Sequence, residues 1–257
     1  MSQEAPPQKS LVWLVAAAST ILIANSIEAS ASYLDYRWPA IGLGGALVIV
    51  LMLIAHQRET TWTDRLAKFN WVLLAAYLMH GFEVDGVDLL GREYSFLAYA
   101  NEARGLELTP RDILRMNTVA IWLILLCAVW GGERFRWTGL AGAGVVMANG
   151  LLHSGNALAA GEYNPGLGTS LALFLPLSVL YYRHARNRLS VSHWEIAGGI
   201  LFGLGGHALL PLLMSLHMPL SILVVFAFLP LAANASANFA RSRTPSLQSS
   251  APLGRPS

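Results

Sequence analysis

The chain has 257 residues, of which 54% are hydrophobic and only 12% are charged, and its formal net charge is +2. Soluble domains carry about 25% charged residues, so this composition excludes an ordinary soluble domain and favours burial in lipid. The small net charge gives no reason to expect nucleic acid as a partner. The single cysteine, Cys127, excludes an internal disulfide.

Long apolar runs predict an all-α, polytopic transmembrane bundle, because about 20 apolar residues span the hydrocarbon core of a bilayer. We expect about eight transmembrane helices, or seven if the first or the last segment does not span. The segments are residues 11–31, 39–56, 71–90, 113–131, 138–160, 167–182, 194–216 and 219–239. A single helical domain over residues 11–239 is then flanked by disordered cytoplasmic tails at 1–10 and 240–257.

Local signals mark several helix ends. Pro39 suits a first helical position, and Thr109 followed by Pro110 and Asp112 is typical of a capped start for the fourth segment. Ser192 and Glu195 have the spacing of a capping box before the seventh segment. Small residues four apart, such as Gly199 and Gly203, predict a close helix–helix contact.

The distribution of basic residues predicts the orientation, because cytoplasmic loops of membrane proteins are enriched in Lys and Arg. Alternate connections and the C-terminal end carry the basic residues: Arg58, Arg65, Lys68, Arg134, Arg136, Arg183, Arg186, Arg188, Arg241 and Arg243. The other connections are poor in net positive charge. We therefore expect a multi-pass protein of the cell inner membrane with both termini in the cytoplasm.

Polar residues interrupt the odd-numbered segments. His80 and Glu83 share one helix face in the third segment, and Asn149 and His153 share one face in the fifth. Ionisable residues in spans are costly and often mark function. At about 1.5 Å per residue, these groups fall between the middle of the bilayer and its outer surface, so we predict that one site collects them. Other residues predicted to line this site are Asp85, Asp88, Tyr163, Asn164, His207 and Glu28.

Three ordered motifs resemble a known family. They are His80 to Asp85, then Asn149 with His153, then the turn Tyr163-Asn164-Pro165-Gly166 with Thr169. Together they resemble the HXXEE family of bacterial membrane proteins over residues 71–183. The resemblance supports His80, Glu83, Asn149, His153 and the turn as site residues. The second glutamate of the motif is Val84 here, so either Asp85 replaces it from another helix face or the site of this member is altered.

Three functions compete at this site. The leading hypothesis is a membrane-embedded enzyme that acts on a membrane lipid or another apolar molecule. His80, Glu83 and His153 could bind zinc or another divalent metal as three protein ligands; without metal, His80 and Glu83 could work as an acid and a base, with Asn149 and His153 assisting. The alternatives are a proton-linked transporter that uses the same residues as a relay, and a non-catalytic membrane subunit.

Overall fold

A computed structural model of the chain describes residues 32–55, 65–93 and 95–243. These residues form an all-helical structure without a β-strand, in which Val87 and Glu93 make an isolated antiparallel bridge. The predicted all-α class is confirmed. The first predicted segment, residues 11–31, and the predicted N-terminal tail lie outside the described residues.

The helices are labelled here in chain order, and two of them contain a π-helical stretch. They are α1 (Ser32–Ala55), α2 (Arg65–Asp85), α3 (Ser95–Arg104), α4 (Pro110–Arg115, π-helical Met116–Trp122, Leu123–Gly131), α5 (Arg136–Ala160), α6 (Leu167–Thr169, π-helical Ser170–Phe174, Leu175–Leu189), α7 (His193–Ser215) and α8 (Ser221–Arg243). A 3₁₀ turn, Gly132–Phe135, joins α4 to α5.

Both predicted capping boxes are confirmed. The Thr109 hydroxyl accepts from the backbone N–H of Asp112, whose carboxylate accepts from the backbone N–H of Thr109. Ser192 and Glu195 make the same pair of bonds at the start of α7. Such caps satisfy N–H groups that the first helical turn leaves without a partner.

Other predicted helix ends were wrong. Pro39 lies inside α1, which begins at Ser32, because neighbouring packing in apolar helices compensates for the backbone bond that proline removes. Helix α2 ends at Asp85, five residues early, where the N–H groups of Gly86 and Val87 both donate to the Phe82 carbonyl. Helix α8 runs to Arg243, so any C-terminal tail starts later than the predicted residue 240.

Helix α3 was not predicted. Its ten residues, Ser95–Arg104, are too short and too polar to resemble a span, and they sit within a charged stretch that we interpreted as a connection. The side chain of Asn101 fixes the chain after the helix by donating to the carbonyl of Leu108 and accepting from its N–H, at 2.9 and 3.0 Å. Helix α3 forms one wall of the candidate site.

Helix α5 is the centre of the packing and contacts α2, α4, α6, α7 and α8. Its contact with α7 is unusually close: a Cβ added to Gly144, Gly199 or Gly203 would collide with the backbone of the opposite helix. The predicted contact of Gly199 and Gly203 is therefore confirmed. Glycine is required there because the two backbones touch.

Three stretches of the described residues are long and apolar enough to cross a membrane. They are Arg37–Ala55, Pro110–Ala160 and His193–Ser215, of which the second contains α4, the 3₁₀ turn and α5. Large apolar side chains also point outward, for example Leu51 on α1 and Leu201 on α7, which are 65% and 66% exposed. Both features are consistent with a membrane protein.

Candidate functional site

A cavity lies among α2, α3, α4, α5 and α7. About 110 Å³ of it is open to the centres of water-sized molecules, where about 10–15 Å³ is enough for one water. Its wall is mainly apolar but contains a set of polar side chains: Tyr77, His80, Asp85, Tyr99, Asn117, Asn149, His153, Asn156 and His207. Such a mixture is typical of pockets that bind small molecules.

The structure brings together five of the residues that the sequence singled out. His80 and Asp85 come from α2, Asn149 and His153 from α5, and His207 from α7, and all five line the cavity. They meet because α5 packs against both α2 and α7.

The other singled-out residues do not line the cavity. Glu83, Asp88, Tyr163 and Asn164 are absent from its wall and bind other parts of the protein. Glu28 lies outside the described residues.

Glu83 is buried behind the cavity and caps the start of α6. Its carboxylate accepts from the backbone N–H groups of Gly168 and Thr169, at 3.0 and 2.7 Å, and from the hydroxyls of Tyr163 (2.8 Å) and Thr169. The residue before the helix, Gly166, has no side chain that could do this. A carboxylate is favoured at a helix N-terminus by the unpaired N–H groups and by the helix dipole.

Thr169 connects Glu83 to His80. Its Oγ1 lies 2.7 Å from His80 Nδ1, and it also contacts Glu83 Oε2. An ionised carboxylate only accepts, so the Thr169 hydroxyl donates to Glu83 and must accept from His80. Nδ1 of His80 therefore carries a hydrogen, and in the neutral ring Nε2 has a lone pair. Nε2 is buried and makes no hydrogen bond within the part of the chain that the structure describes.

Asn164 orients His153 in the same way. The Nδ2 amide of Asn164 donates to the His153 carbonyl at 2.8 Å, which places Oδ1 of Asn164 toward the imidazole. That oxygen lies 2.7 Å from His153 Nδ1 and can only accept. Nδ1 of His153 is therefore protonated as well, and Nε2 is the acceptor atom of the neutral ring.

The two imidazoles are in close contact beneath the Tyr163–Gly166 turn. Their ring centroids are 5.0 Å apart in an edge-on arrangement, and Phe174 lies 4.3 Å from His80 on another side. Gly166 has a φ of +92°, and a Cβ there would lie 2.7 and 2.8 Å from the Cε1 atoms of His80 and His153. Only glycine allows the turn to approach both rings.

Val84 occupies the position of the second glutamate of the motif. Its side chain is buried, lines the cavity and also packs against Gly166. The carboxylate that the motif places here is thus replaced by an apolar surface. Asp85 lines the same cavity one residue later.

Two groups in the loops beside the site have shifted pKa values. Burial raises the pKa of the Tyr163 hydroxyl to about 12, and its bond to Glu83 adds to this, so the hydroxyl stays protonated and donates. Burial opposes ionisation of Asp88, but bonds from the Arg92 and Leu90 backbone and from the Arg92 side chain outweigh it and lower the pKa. The Asp88 carboxylate thus holds the turn that follows α2 by accepting bonds from Leu90 and Arg92.

The predicted metal set does not fit this geometry. Both oxygens of Glu83 already accept bonds from Tyr163, Gly168 and Thr169, and His80 uses Nδ1 on Thr169. Within the described ranges, no three His, Cys, Asp or Glu side chains are grouped so that they could hold a metal ion. His80, Glu83 and His153 are not arranged as three ligands, because Glu83 acts on His80 through Thr169.

Several cavity residues were missed by sequence reasoning. Tyr77 donates its hydroxyl hydrogen to Asn117 Oδ1 at 2.7 Å, and Tyr99 comes from the unpredicted α3. Asn117 was the visible signal, as a polar residue inside an apolar span. One π-helical stretch contributes Asn117 to the cavity wall, and the other ends at Phe174, whose ring packs against His80. Such π-helical turns are frequent at functional sites.

The comparison with protein families agrees with the motifs. Residues 71–181 match a family described as "Protein of unknown function with HXXEE motif". This part of the chain is therefore similar to the HXXEE family. The matched part contains every cavity residue of α2 to α5 and the Glu83–Thr169–His80 connection, while His207 on α7 lies beyond it. No match was found among curated proteins or among solved structures.

Proposed function

We propose that this protein is a membrane-embedded enzyme that acts on a lipid or another apolar molecule by acid/base chemistry at His80. In this proposal the chain spans the cell inner membrane about eight times with both termini in the cytoplasm. The site then belongs to the outer half of the bilayer. Support for the membrane comes from the three long apolar stretches and from the basic residues in alternate connections.

The proposal is carried by the buried Nε2 of His80, which makes no hydrogen bond to any described residue, although Thr169 accepts from the opposite nitrogen and connects it to Glu83. Leaving a buried polar atom without a hydrogen bond costs about 1–3 kcal/mol. A folded protein that retains such an atom beside a cavity often uses it for a ligand or for catalysis. A donor group on a bound molecule would supply the missing bond.

The connected side chains suit His80 to the role of a general base. A proton taken from the bound molecule would go to Nε2, and the imidazolium would keep donating from Nδ1 to Thr169. Glu83 then stabilises the new positive charge through the same hydroxyl, as a carboxylate does for the histidine of a catalytic triad. In this proposal Asn149, which lines the cavity wall, stabilises negative charge that develops on the molecule.

Product formation by purified protein tests the proposal. Wild type and His80→Gln would be reconstituted into vesicles of the host's own lipids, and products would be followed by mass spectrometry. We expect products that depend on His80 and fall at least about 100-fold in the variant, the usual size of a general-base contribution. His193→Gln, an exposed histidine at the start of α7, is the matched control.

The two competing functions give different results in the same preparation. A relay for protons predicts that His80→Gln abolishes a proton flux across the vesicle membrane while the lipids stay chemically unchanged. A purely structural role predicts that the variant unfolds at lower temperature and that wild type yields neither product nor flux. Either result would contradict the enzyme proposal.

A further inference from the structure

The hydrogen-bond donors around the cavity are largely used by the protein itself. His80 and His153 donate from Nδ1 to Thr169 and Asn164, as shown above. His207 has Nδ1 at 2.9 Å from the carbonyl oxygen of Gly203, which can only accept. All three imidazoles on the cavity wall therefore have Nε2 as the acceptor atom of the neutral ring.

The Tyr77 hydroxyl likewise uses its hydrogen within the protein. Its hydrogen is donated to Asn117, whose own amide donates to the carbonyl of Ile113 at 2.9 Å. What Tyr77 offers to the cavity is thus the lone pair of its oxygen. Asp85 adds a carboxyl group, whereas Tyr99, Asn149 and Asn156 can donate or accept. His80 Nε2 and the Tyr77 oxygen thus present lone pairs beside the cavity, and their complement is a molecule with O–H or N–H groups.

An apolar groove continues from the cavity at His207. Leu152, His207 and Pro211 line both spaces. Beyond them the groove is formed by Leu106, Leu204 and Leu212. Leu204 and Leu212 are on the outward side of α7, one of the stretches apolar enough to cross a membrane. The groove thus leads from the polar cavity to the surface that lipid would cover.

We propose that the site binds a single-chain amphiphile whose head carries O–H or N–H donors. The head lies among His80, His153 and His207, and the tail leaves the cavity past His207 along the α7 groove. That this molecule is a substrate rests on the proposed function, whereas that it binds in the cavity and the groove does not. The continuity of the two spaces favours one molecule that occupies both.

Photo-crosslinking tests the assignment in full-length protein reconstituted into lipid nanodiscs. The probe is a dodecylglycerol with a diazirine in its tail, and peptide mapping locates the label. We expect labelling of α7 around Leu204 to Leu212 that unlabelled dodecylglycerol competes away. Its di-O-methyl derivative, which has the same tail but no donor, should compete at least about tenfold less well, the factor that about 1.4 kcal/mol represents.

Further competitors and variants separate the parts of the assignment. Better competition by dodecylamine than by dodecylglycerol would identify the donor head as an amine near Asp85, and the reverse would identify a hydroxyl head. Ala208→Trp should fill the groove and abolish labelling. Leu209→Trp, an exposed neighbour that lines neither space, should not.

Three results would overturn the assignment: labelling spread evenly over the lipid-facing helices, equal competition by the di-O-methyl derivative, or stronger competition by dodecanoate, whose ionised head only accepts. Site-specific labelling without any His80-dependent product would contradict the proposed enzyme and leave the ligand class intact. His80-dependent products without labelling of α7 would contradict the ligand class and leave the proposed enzyme intact.

Discussion

At the level of single residues, Thr169 decides which ring nitrogen of His80 carries the hydrogen. Its hydroxyl donates to Glu83 and so accepts only the N–H form of His80 Nδ1. This hydroxyl therefore combines two roles, since it completes the cap of α6 and fixes a tautomer. The two roles can be separated by substitution.

We expect Thr169→Val to destabilise the protein by about 1–3 kcal/mol, because the same shape without a hydroxyl leaves buried polar groups unpaired. The variant should also release His80 into a mixture of tautomers. Nitrogen NMR of labelled imidazole distinguishes protonated from unprotonated ring nitrogens and checks this. Thr169→Ser keeps the hydroxyl and should keep the wild-type tautomer; a His80 spectrum unchanged by valine would contradict the connection.

Gly166 gives the second prediction at this scale. Gly166→Ala adds a Cβ against Val84, His80 and His153, whereas a Cβ at Gly161 meets no described heavy atom within 4 Å beyond its chain neighbours. Both glycines have positive φ, +92° and +71°, so both alanine variants share a backbone cost of about 1–2 kcal/mol. Only Gly166→Ala should add a packing cost of about 1–3 kcal/mol.

Denaturant unfolding of the two glycine variants in the same detergent measures the difference. The Gly166 variant should also lose binding of the cavity ligand, because its Cβ forces the two imidazoles to move. Equal stability of the two variants would mean that the turn can withdraw from the rings and that its close approach is not required.

Residue patterns predicted part of the site but not its connections. The spacing of His80 with Glu83 and of Asn149 with His153 showed which residues share a helix face, and the structure places His80, Asn149 and His153 on one cavity. The spacing of residues along one helix does not show which residues of other segments contact that helix face. The sequence therefore could not show that Glu83 meets Thr169 from α6, or that Asn164 would orient His153.

At the level of helices, the contact between α5 and α7 brings His153 and His207 to the wall of one cavity. Gly144 on α5 lies against the backbone of Gly199 and Gly203 on α7. A close backbone contact brings the polar side chains of the two helices within reach of one cavity. The spacing of the two α7 glycines predicted this contact, whereas the partner helix was not readable from it.

Gly203→Ala tests this contact. We expect a loss of about 1–3 kcal/mol, since the added methyl would collide with the Gly144 backbone and push the helices apart. Gly205→Ala lies on the same helix, but its added Cβ meets no described heavy atom within 4 Å outside the adjacent backbone of that helix. It should be neutral or stabilise by up to about 1 kcal/mol through helix propensity. Thermal unfolding compares the two variants, and equal effects would contradict a close α5–α7 contact.

At the level of the whole molecule, the apolar runs and the basic residues were the most informative parts of the sequence. The lengths of α5 and α7 were predicted to within two residues, because their apolar runs are long and end at clear caps or turns. Helix α3 was missed because its short, polar sequence has no such constraint. The orientation in the membrane is still a prediction.

Cysteine accessibility tests that orientation, and the chain suits the method because Cys127 is its single cysteine. In a Cys127→Ala background, Glu162→Cys marks the turn between α5 and α6, and Asn187→Cys marks the last turn of α6; both positions are exposed. In intact cells we expect a membrane-impermeant thiol reagent to label position 162 and not position 187, because three arginines near position 187 favour the cytoplasm. Permeabilised cells should label both. The opposite pattern in intact cells would invert the topology and move the His80 cavity to the inner half of the bilayer, so that its amphiphile would have to come from the cytoplasmic leaflet.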